Sequence, residues 1–484
     1  MEERPEGEAS WLEPGPACWR VERAPRFAML MENGRYFAAL ASALEKAERS
    51  VVLLGWQFDP RTRLDPSEAG GHIAEIGHRL RLLAKSRPEL DIRLLIWNSP
   101  LVIAASQGFY PHLAAAWFRR RAVDFRLDSP GPFGACHHQK VVVIDDKVAF
   151  AGGGDVSTDR WDDVAHHDAD PRRFLPSGRL YPPRHEVMCV MDGPAAQALG
   201  DLARERWRRA ASERAAPVET TGDPWPDGVE PDFRGARVAV SRTEPAWRGR
   251  PAVTENETLH LDMIRRARRL IYFENQYFTS PRIAEALAAR LQEPEGPEIV
   301  LVTTGKSPSW FDSMTMDTAR AEVLFRLEQA DQHGRFFAFA PATAKGERII
   351  VHAKMTVVDD RIIRIGSSNL NNRSFGLDTE CDVTAEPTDA AGRDAIRRYR
   401  QTSIGHFMGV DGEAFAAAEA VSSSIGQAIA QFDQGRLVTL GYTPPTRMQK
   451  AIARFQLGDP VGPQDAWRPW KRFRRTPLLA PPVE

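Results

Sequence analysis

Two short stretches of this 484-residue chain carry the same reactive side chains at the same offsets. The first, HQKVVVIDDKVAFAGGGD, runs from His138 to Asp155; the second, HAKMTVVDDRIIRIGSSN, runs from His352 to Asn369. Each places a Lys two residues after the His (Lys140, Lys354) and an Asp seven after it (Asp145, Asp359). Each then has a Gly fourteen after the His (Gly152, Gly366) with a small residue beside it (Gly153, Ser367), and an acid or amide seventeen after it (Asp155, Asn369). In an extended strand, side chains two apart share a face, so His and Lys point together. Two such pairs can surround one small anion. The lysines would hold phosphoryl oxygens and screen their charge. One neutral imidazole would attack phosphorus and become a covalent intermediate. The other, protonated, would donate to the leaving oxygen and then take a proton from water or an alcohol. The small residues would admit close backbone approach to the phosphate. The lysines supply the positive charge that a metal gives in other phosphodiesterases, so neither metal nor cofactor is required.

A single His-x-Lys is usually a solvated strand face, and acids at a strand turn are commonly turn formers. Two copies agreeing at five positions argue instead for chemistry. Each imidazole also needs a group to fix its tautomer. Glu380, 28 residues after His352 in LDTECDV, is expected to return beside His352, and Glu186 in RHEV to serve His138. His137 is expected on the opposite strand face from His138. His166, His167 and Asp168 have the types of a metal cluster, but they fall in a polar segment and read as solvent-exposed.

The elements that must position these residues are legible as alternation. Short apolar runs at 51–55, 92–97, 140–144, 148–151 and 186–191 read as strands, and helical periodicity marks 34–50 and 194–211. Pro194 falls at a first helical turn, where its missing N–H does no harm. Residues 212–235 hold four prolines and no period, which predicts a linker. The order then returns, with helices over 259–268 and 281–292 and strands over 269–273, 298–304, 349–358 and 362–365. VVLLGWQFD at 51–59 aligns with LIYFENQYF at 270–278, with Gln57 opposite Gln276. The chain is therefore an internal repeat of two α/β halves, a fused pseudo-dimer. The expected division is a loose tail over 1–21, a first α/β lobe over 22–211, the linker, a second lobe over 236–410, and a C-terminal extension over 411–484, helical at first.

Composition excludes several classes. Sixty-four Lys and Arg balance 65 Asp and Glu, so no global basic excess points to nucleic acid. Cys18, Cys136, Cys189 and Cys381 are too few and too scattered for a disulfide framework or a zinc site. The acidic start MEERPEGEAS does not have the pattern of a signal peptide. The uncharged run from Leu94 to Phe118 is broken by Pro100, Pro111 and several polar residues; it reads as a strand, turn and helix start, or as an apolar lip on a site, rather than a membrane span. The segment WRPWKRFRR, 467–475, suits an anionic bilayer surface, a self-packed tail or nucleic acid.

The paired motifs resemble the HKD signatures of the phospholipase D superfamily, over roughly residues 22–410. GWQFD at 55–59, the GGGD ending at Asp155, RHEVMCVMDGPA at 184–195, ENQYFTS at 274–280 and NLNNRSFGLDTE at 369–380 resemble the branch acting on phospholipids. The resemblance implies two pseudo-symmetric α/β/α sandwich lobes with one active site between them. It implies a phosphohistidine intermediate, then hydrolysis to phosphatidic acid or transfer to an alcohol. By position, His138 would be the nucleophile and His352 the general acid and base. Lys140, Lys354 and Asn369 would bind phosphate, with Gly153, Ser367 and Asp155 beside them. Asp145 and Asp359 belong to the catalytic signatures, in a supporting role. Two positions depart from the commoner pattern: Asp155 replaces Asn and would pair with a Lys, since an ionised carboxylate cannot donate, and Glu186 replaces Asp. The expected partners are a phospholipid at a membrane surface and water or an alcohol as acceptor. No nucleic acid and no cofactor are expected. The protein is expected to be a cytoplasmic monomer, peripheral on the inner membrane face. Competing readings are a cardiolipin synthase-like phosphatidyltransferase, a nuclease of the same superfamily, and a non-catalytic membrane scaffold.

Overall fold

A computed structural model describes residues 10–67, 71–100, 111–119, 123–307, 309–432, 435–442, 444, 446–453 and 455–467. Residues 101–110 of the uncharged run and 468–475 of the basic aromatic segment lie outside the described residues.

The first half runs β1 (Arg20–Met31), α1 (Asn33–Glu45), β2 (Ser50–Gly55), α2 (Ile76–Ser86), β3 (Asp91–Trp97), α3 (Pro111–Phe118), β4 (Asp124–Asp128), β5 (Val141–Ile144), β6 (Val148–Gly152), β7 (Arg184–His185), β8 (Val187–Asp192) and α4 (Pro194–Ala211). The second runs β9 (Phe233–Glu244), β10 (Val253–Thr254), α5 (Glu255–Arg266), β11 (Leu270–Asn275), α6 (Pro281–Gln292), β12 (Glu298–Val302), α7 (Trp310–Ala330), β13 (Phe336–Pro341), β14 (Ile350–Val351), β15 (Lys354–Val358), β16 (Ile362–Gly366), α8 (Asn372–Gly376), β17 (Glu380–Glu386) and α9 (Ala390–Met408). Then come α10 (Gly412–Val421), α11 (Ile425–Gln431), β18 (Leu437–Thr439), α12 (Arg447–Ala453) and α13 (Pro463–Trp467).

Strand order makes the internal repeat visible. The first half reads β4-β3-β2-β5-β6-β8-β1 and the second β13-β12-β11-β15-β16-β17-β9. In both, the three outer strands are parallel to one another and the rest antiparallel. β1 and β9 pair antiparallel at the centre, with Phe27 opposite Phe233 and their rings stacked at 5.0 Å. The halves thus share one 16-stranded sheet, extended at its edge by β18 against β13.

Helices cover both faces, as strands this uniformly apolar require. On one face a single core runs across both halves, from Trp207 and Leu199 of α4 to Phe407 of α9 and Phe415 of α10. On the other face the core divides in two: α1, α2 and α3 cover the first half, α5, α6 and α7 the second. Local chemistry sets several ends. Ser280 caps α6 by accepting from the Ile283 N–H, and Pro281 follows it at the first turn. Pro194 opens α4 in the same way.

Two stretches expected to be loose are packed. Of the 1–21 tail, Arg20 and Val21 already belong to β1, Leu12 and Cys18 are buried in the second-half core, and the Trp11 N–H reaches the Glu386 carboxylate. Within 212–235, Trp225 and Val229 are buried against the first half, the Trp225 indole donates to the Val229 carbonyl at 2.8 Å, and Arg26 lies over its ring. β9 begins at Phe233, inside that range. The twelve-residue strands β1 and β9 escape a reading by period because Arg and Pro interrupt RVERAPRFAMLM and Arg and Gly interrupt FRGARVAVSRTE. Their partners, not their own pattern, make them strands.

Candidate active site

Both motif histidines lie just ahead of their strands, where each chain crosses towards the other half. The His138 N–H donates to the Thr379 carbonyl at 3.0 Å, and the Thr379 N–H donates to the Cys136 carbonyl. In the symmetric position, β14 pairs with β7, and the His352 N–H donates to the His185 carbonyl at 2.8 Å. These crossings decide which carboxylate meets which ring. His138 Nδ1 lies 2.9 Å from the Glu380 carboxylate, and His352 Nδ1 lies 2.7 Å from Glu186. This corrects the expected pairing, which put Glu380 beside His352 and Glu186 beside His138. Each carboxylate follows the backbone contact at the residue before it, and those contacts run between halves. Nδ1 is the engaged nitrogen in both rings, so Nε2 is the one available for chemistry.

The lysines lie close by. Lys140 Nζ donates to the His138 carbonyl at 3.0 Å and pairs with Asp155 at 3.2 Å. Lys354 Nζ donates to Gln276 Oε1 at 3.1 Å, lies 3.0 Å from His352 Nδ1, and also contacts the His352 carbonyl. Asp155 accepts the Trp56 and Gln57 N–H groups at 2.8 and 3.1 Å, so this carboxylate anchors β2 as well as Lys140. Asn369 is buried, and its side-chain oxygen, an acceptor, has no hydrogen-bond partner.

Electrostatics follow from this packing. Burial, then Lys140 and Lys354, hold the His138 imidazole well below its ordinary pKa. Burial, then Lys354, Arg160 and Arg184, do the same for His352. Burial lowers the Lys354 ammonium. Burial pushes the Glu380 carboxyl up to about 8 against the Ser367 hydroxyl, which donates to it at 2.5 Å. Both rings are therefore neutral near pH 7 until a negative charge enters among them.

Several expected site residues take other work. Asp145 accepts the Glu48, Arg49 and Ser50 N–H groups, each at 2.7 Å. Asp359 accepts those of Arg268, Arg269 and Leu270 in the matching place. Both sit at the far ends of β5 and β15, seven residues or about 23 Å of extended chain from the motif histidines. They are structural rather than catalytic, because a strand cannot present both its ends at one site. The small residues are closely packed at both motifs. A Cβ on Gly366 would meet the Asp382 carboxylate at 2.1 Å, and one on Gly153 would meet Glu186 Oε2 and the His352 carbonyl at 3.1 Å. Gly153 and Ser367 therefore pack against the two His–carboxylate pairs.

His137 is fully buried, with Nδ1 2.8 Å from Asp128, which also contacts Arg206. The reading of His166 as solvent-exposed is overturned: it is 2% exposed and bonds Asp162, because its loop folds back onto β7. His167 is exposed, and Asp168 bonds Thr343 of the second half. Residues missed from the sequence include Trp56, whose ring lies 6.2 Å from that of His138 and 5.9 Å from Lys140 Nζ, stacked on Trp97. Arg160, which donates to Gln57 Oε1, and Arg184 were missed too. Their one signal was proximity to Asp155 and Glu186 in the chain.

Known proteins resemble this chain in sequence and fold. The family model described as "Cardiolipin synthase, PLD-like domain" matches residues 260–399. Phospholipase D A of Dictyostelium discoideum is 23% identical over 70% of this chain and 31% of its own length. Phospholipase D1 of Saccharomyces cerevisiae is 25% identical over 76% of this chain and 27% of its own length. The chain thus spans about a third of these relatives. Cardiolipin synthase A of a Pseudomonas putida strain is 26% identical over 79% of this chain and 70% of its own length. Among solved structures, phosphatidylserine synthase of Haemophilus influenzae matches with a TM-score of 0.55 at 12% identity, over 89% of this chain and 92% of that one. That likeness concerns the fold. The family model and the named relatives support membership of the phospholipase D superfamily.

Proposed function

We propose that this protein is a phospholipid phosphodiesterase and phosphatidyltransferase working through a phosphohistidine. The observation that carries the reading is the pair of largely buried imidazoles, each tied at Nδ1 to a carboxylate of the opposite half, with two lysines beside them. His138 Nε2 attacks the phosphorus of the phosphodiester. The P–O bond to the headgroup breaks, and His352 delivers the proton that the departing oxygen needs. Water or an alcohol then gives that proton back to His352 and attacks phosphorus, and the P–N bond breaks to free His138. Lys140, Lys354 and Asn369 hold the phosphoryl oxygens through both steps.

Relatives named phospholipase D and cardiolipin synthase support a phospholipid substrate. The name of the matching family model, which covers the half holding His352, supports transfer to an alcohol acceptor as the second reading. Among the described residues no helix is long and apolar enough to cross a membrane. Contact with a bilayer would then be peripheral. Phe133, ahead of His138, and Trp310 and Phe311, opening α7 after β12, are 71%, 74% and 47% exposed and suit an apolar rim.

The test is incubation of purified protein with mixed phospholipid vesicles, with and without a primary alcohol, followed by mass spectrometry. Phosphatidic acid, or a phosphatidyl-alcohol when alcohol is present, is the expected product. Cleavage of nucleic acid with no lipid product would overturn the reading.

A further inference from the structure

Behind the proposed catalytic pair lies a second set of histidines that the chemistry does not use. Glu32 sits at the junction of β1 and α1, His166 in the loop after β6, His185 in β7 and His406 in α9. One oxygen, Glu32 Oε1, is the focus of all three rings. His166 Nε2 is 3.3 Å from it, His406 Nε2 is 3.5 Å from it, and His185 Nδ1 is in direct contact with it. The four candidate ligand atoms all lie within 4.8 Å of one another.

These distances suit a metal better than hydrogen bonding alone. Four ligands about 2.0–2.1 Å from a tetrahedral ion stand about 3.3–3.4 Å apart. His166 Nε2 and His406 Nε2 are buried, yet neither makes a well-formed hydrogen bond. Orphaned ring nitrogens aimed at one carboxylate oxygen are costly unless something joins them. The opposite nitrogen of every ring is held: His166 Nδ1 by Asp162 at 2.8 Å, His185 Nε2 by Glu274 at 2.7 Å, and His406 Nδ1 by the Val164 carbonyl at 2.9 Å. Outer partners of this kind orient metal-bound imidazoles and fix their tautomer. Glu32 itself has φ 67° and ψ 146°, a backbone conformation rare for any residue but Gly, which is how its side chain turns into the cluster.

We propose that Glu32, His166, His185 and His406 form a structural zinc site that pins the two halves together behind the His352 side of the active site. Three imidazoles and a carboxylate suit zinc. Four protein ligands close the tetrahedron, leaving no place for a reactive water. Three ligands come from the first half and His406 from the second. The ion would replace the direct His185–Glu32 contact and fix His185, whose carbonyl receives the His352 N–H and whose neighbour Glu186 meets the His352 ring.

The test is elemental analysis of untagged, gel-filtered full-length protein after dialysis against zinc chloride. About one zinc per chain is expected, falling below about a tenth in H166A and in H406A and unchanged in H352A. Chelation should lower the Tm of the wild-type protein, and zinc chloride should restore it. X-ray absorption at the zinc edge needs no variant. It should show only nitrogen and oxygen neighbours at about 2.0–2.1 Å with imidazole scattering. Folded wild-type protein without stoichiometric zinc, a full zinc complement in H406A, or sulfur in the zinc shell would each overturn the proposal. None of these readouts depends on turnover, so they stand apart from the fate of the proposed activity.

Discussion

His138 and His352 are near copies in sequence and differ in what surrounds them. Lys140 is paired with Asp155 and faces the Trp56 ring, while Lys354 has an amide, Gln276, and the ring it accompanies. Replacing either His by Ala should lower turnover at least about a thousandfold, with Tm close to wild type; a rate measured on folded protein checks both. The Glu380 carboxyl, pushed up to about 8, gives a sharper expectation. Protonated, it donates to His138 Nδ1 and leaves the ring proton on Nε2. Ionised, it accepts from Nδ1–H and leaves Nε2 its lone pair. The rate should therefore rise with pH through about 8, and E380Q should lose that limb along with about 100-fold or more in kcat, as a wrong tautomer does elsewhere. On stability the sign is opposite. The raised carboxyl pKa contributes stability that is complete below the ordinary value of 4.5 and lost as pH rises through about 8. Thermal melts of wild type should fall across that window more than those of E380Q.

At the scale of elements, the third residue of each signature works on the fold. Asp145 and Asp359 each gather three backbone N–H groups from the segment entering β2 or β11. Both adopt a left-handed φ, 54° and 55°, at the hairpin turn. D145A should cost about 2–3 kcal/mol, since three charge-assisted hydrogen bonds to part-buried N–H groups are lost together. D359A should cost less, because Asp359 is the more exposed of the two. Denaturant melts would measure both costs, and activity per folded molecule should stay near wild type. A catalytic Asp would give the reverse result, with stability kept and turnover lost.

The whole molecule is one sheet with a common core on one face, so its halves are repeats without being independent bodies. Residues 10–231 alone would leave the β1 edge unpaired and uncover the apolar face shared with α9 and α10. Expressed separately, that half should aggregate or lack a cooperative melt. Co-expression with residues 232–484 should recover a one-to-one complex and the activity. A stable, soluble first half by size exclusion and circular dichroism would contradict the shared core. The active site makes the same demand, since each half orients the other half's histidine.

Some of this was determined by the chain itself. Residue type and spacing carried the repeat, the two His–Lys pairs, Glu186 and Glu380 as partners, and the helices 194–211 and 281–292, because local period and paired motifs are written in order along the chain. Tertiary structure alone decided the rest. Which carboxylate meets which His depends on β14 crossing to β7 and Cys136–His138 crossing to Thr379, contacts between segments far apart in sequence. The strands β1 and β9 exist through their pairing, and Asp145 and Asp359 are separated from the histidines by strand length. The Glu32 cluster gathers residues as distant as 32 and 406, whose convergence no spacing rule could express.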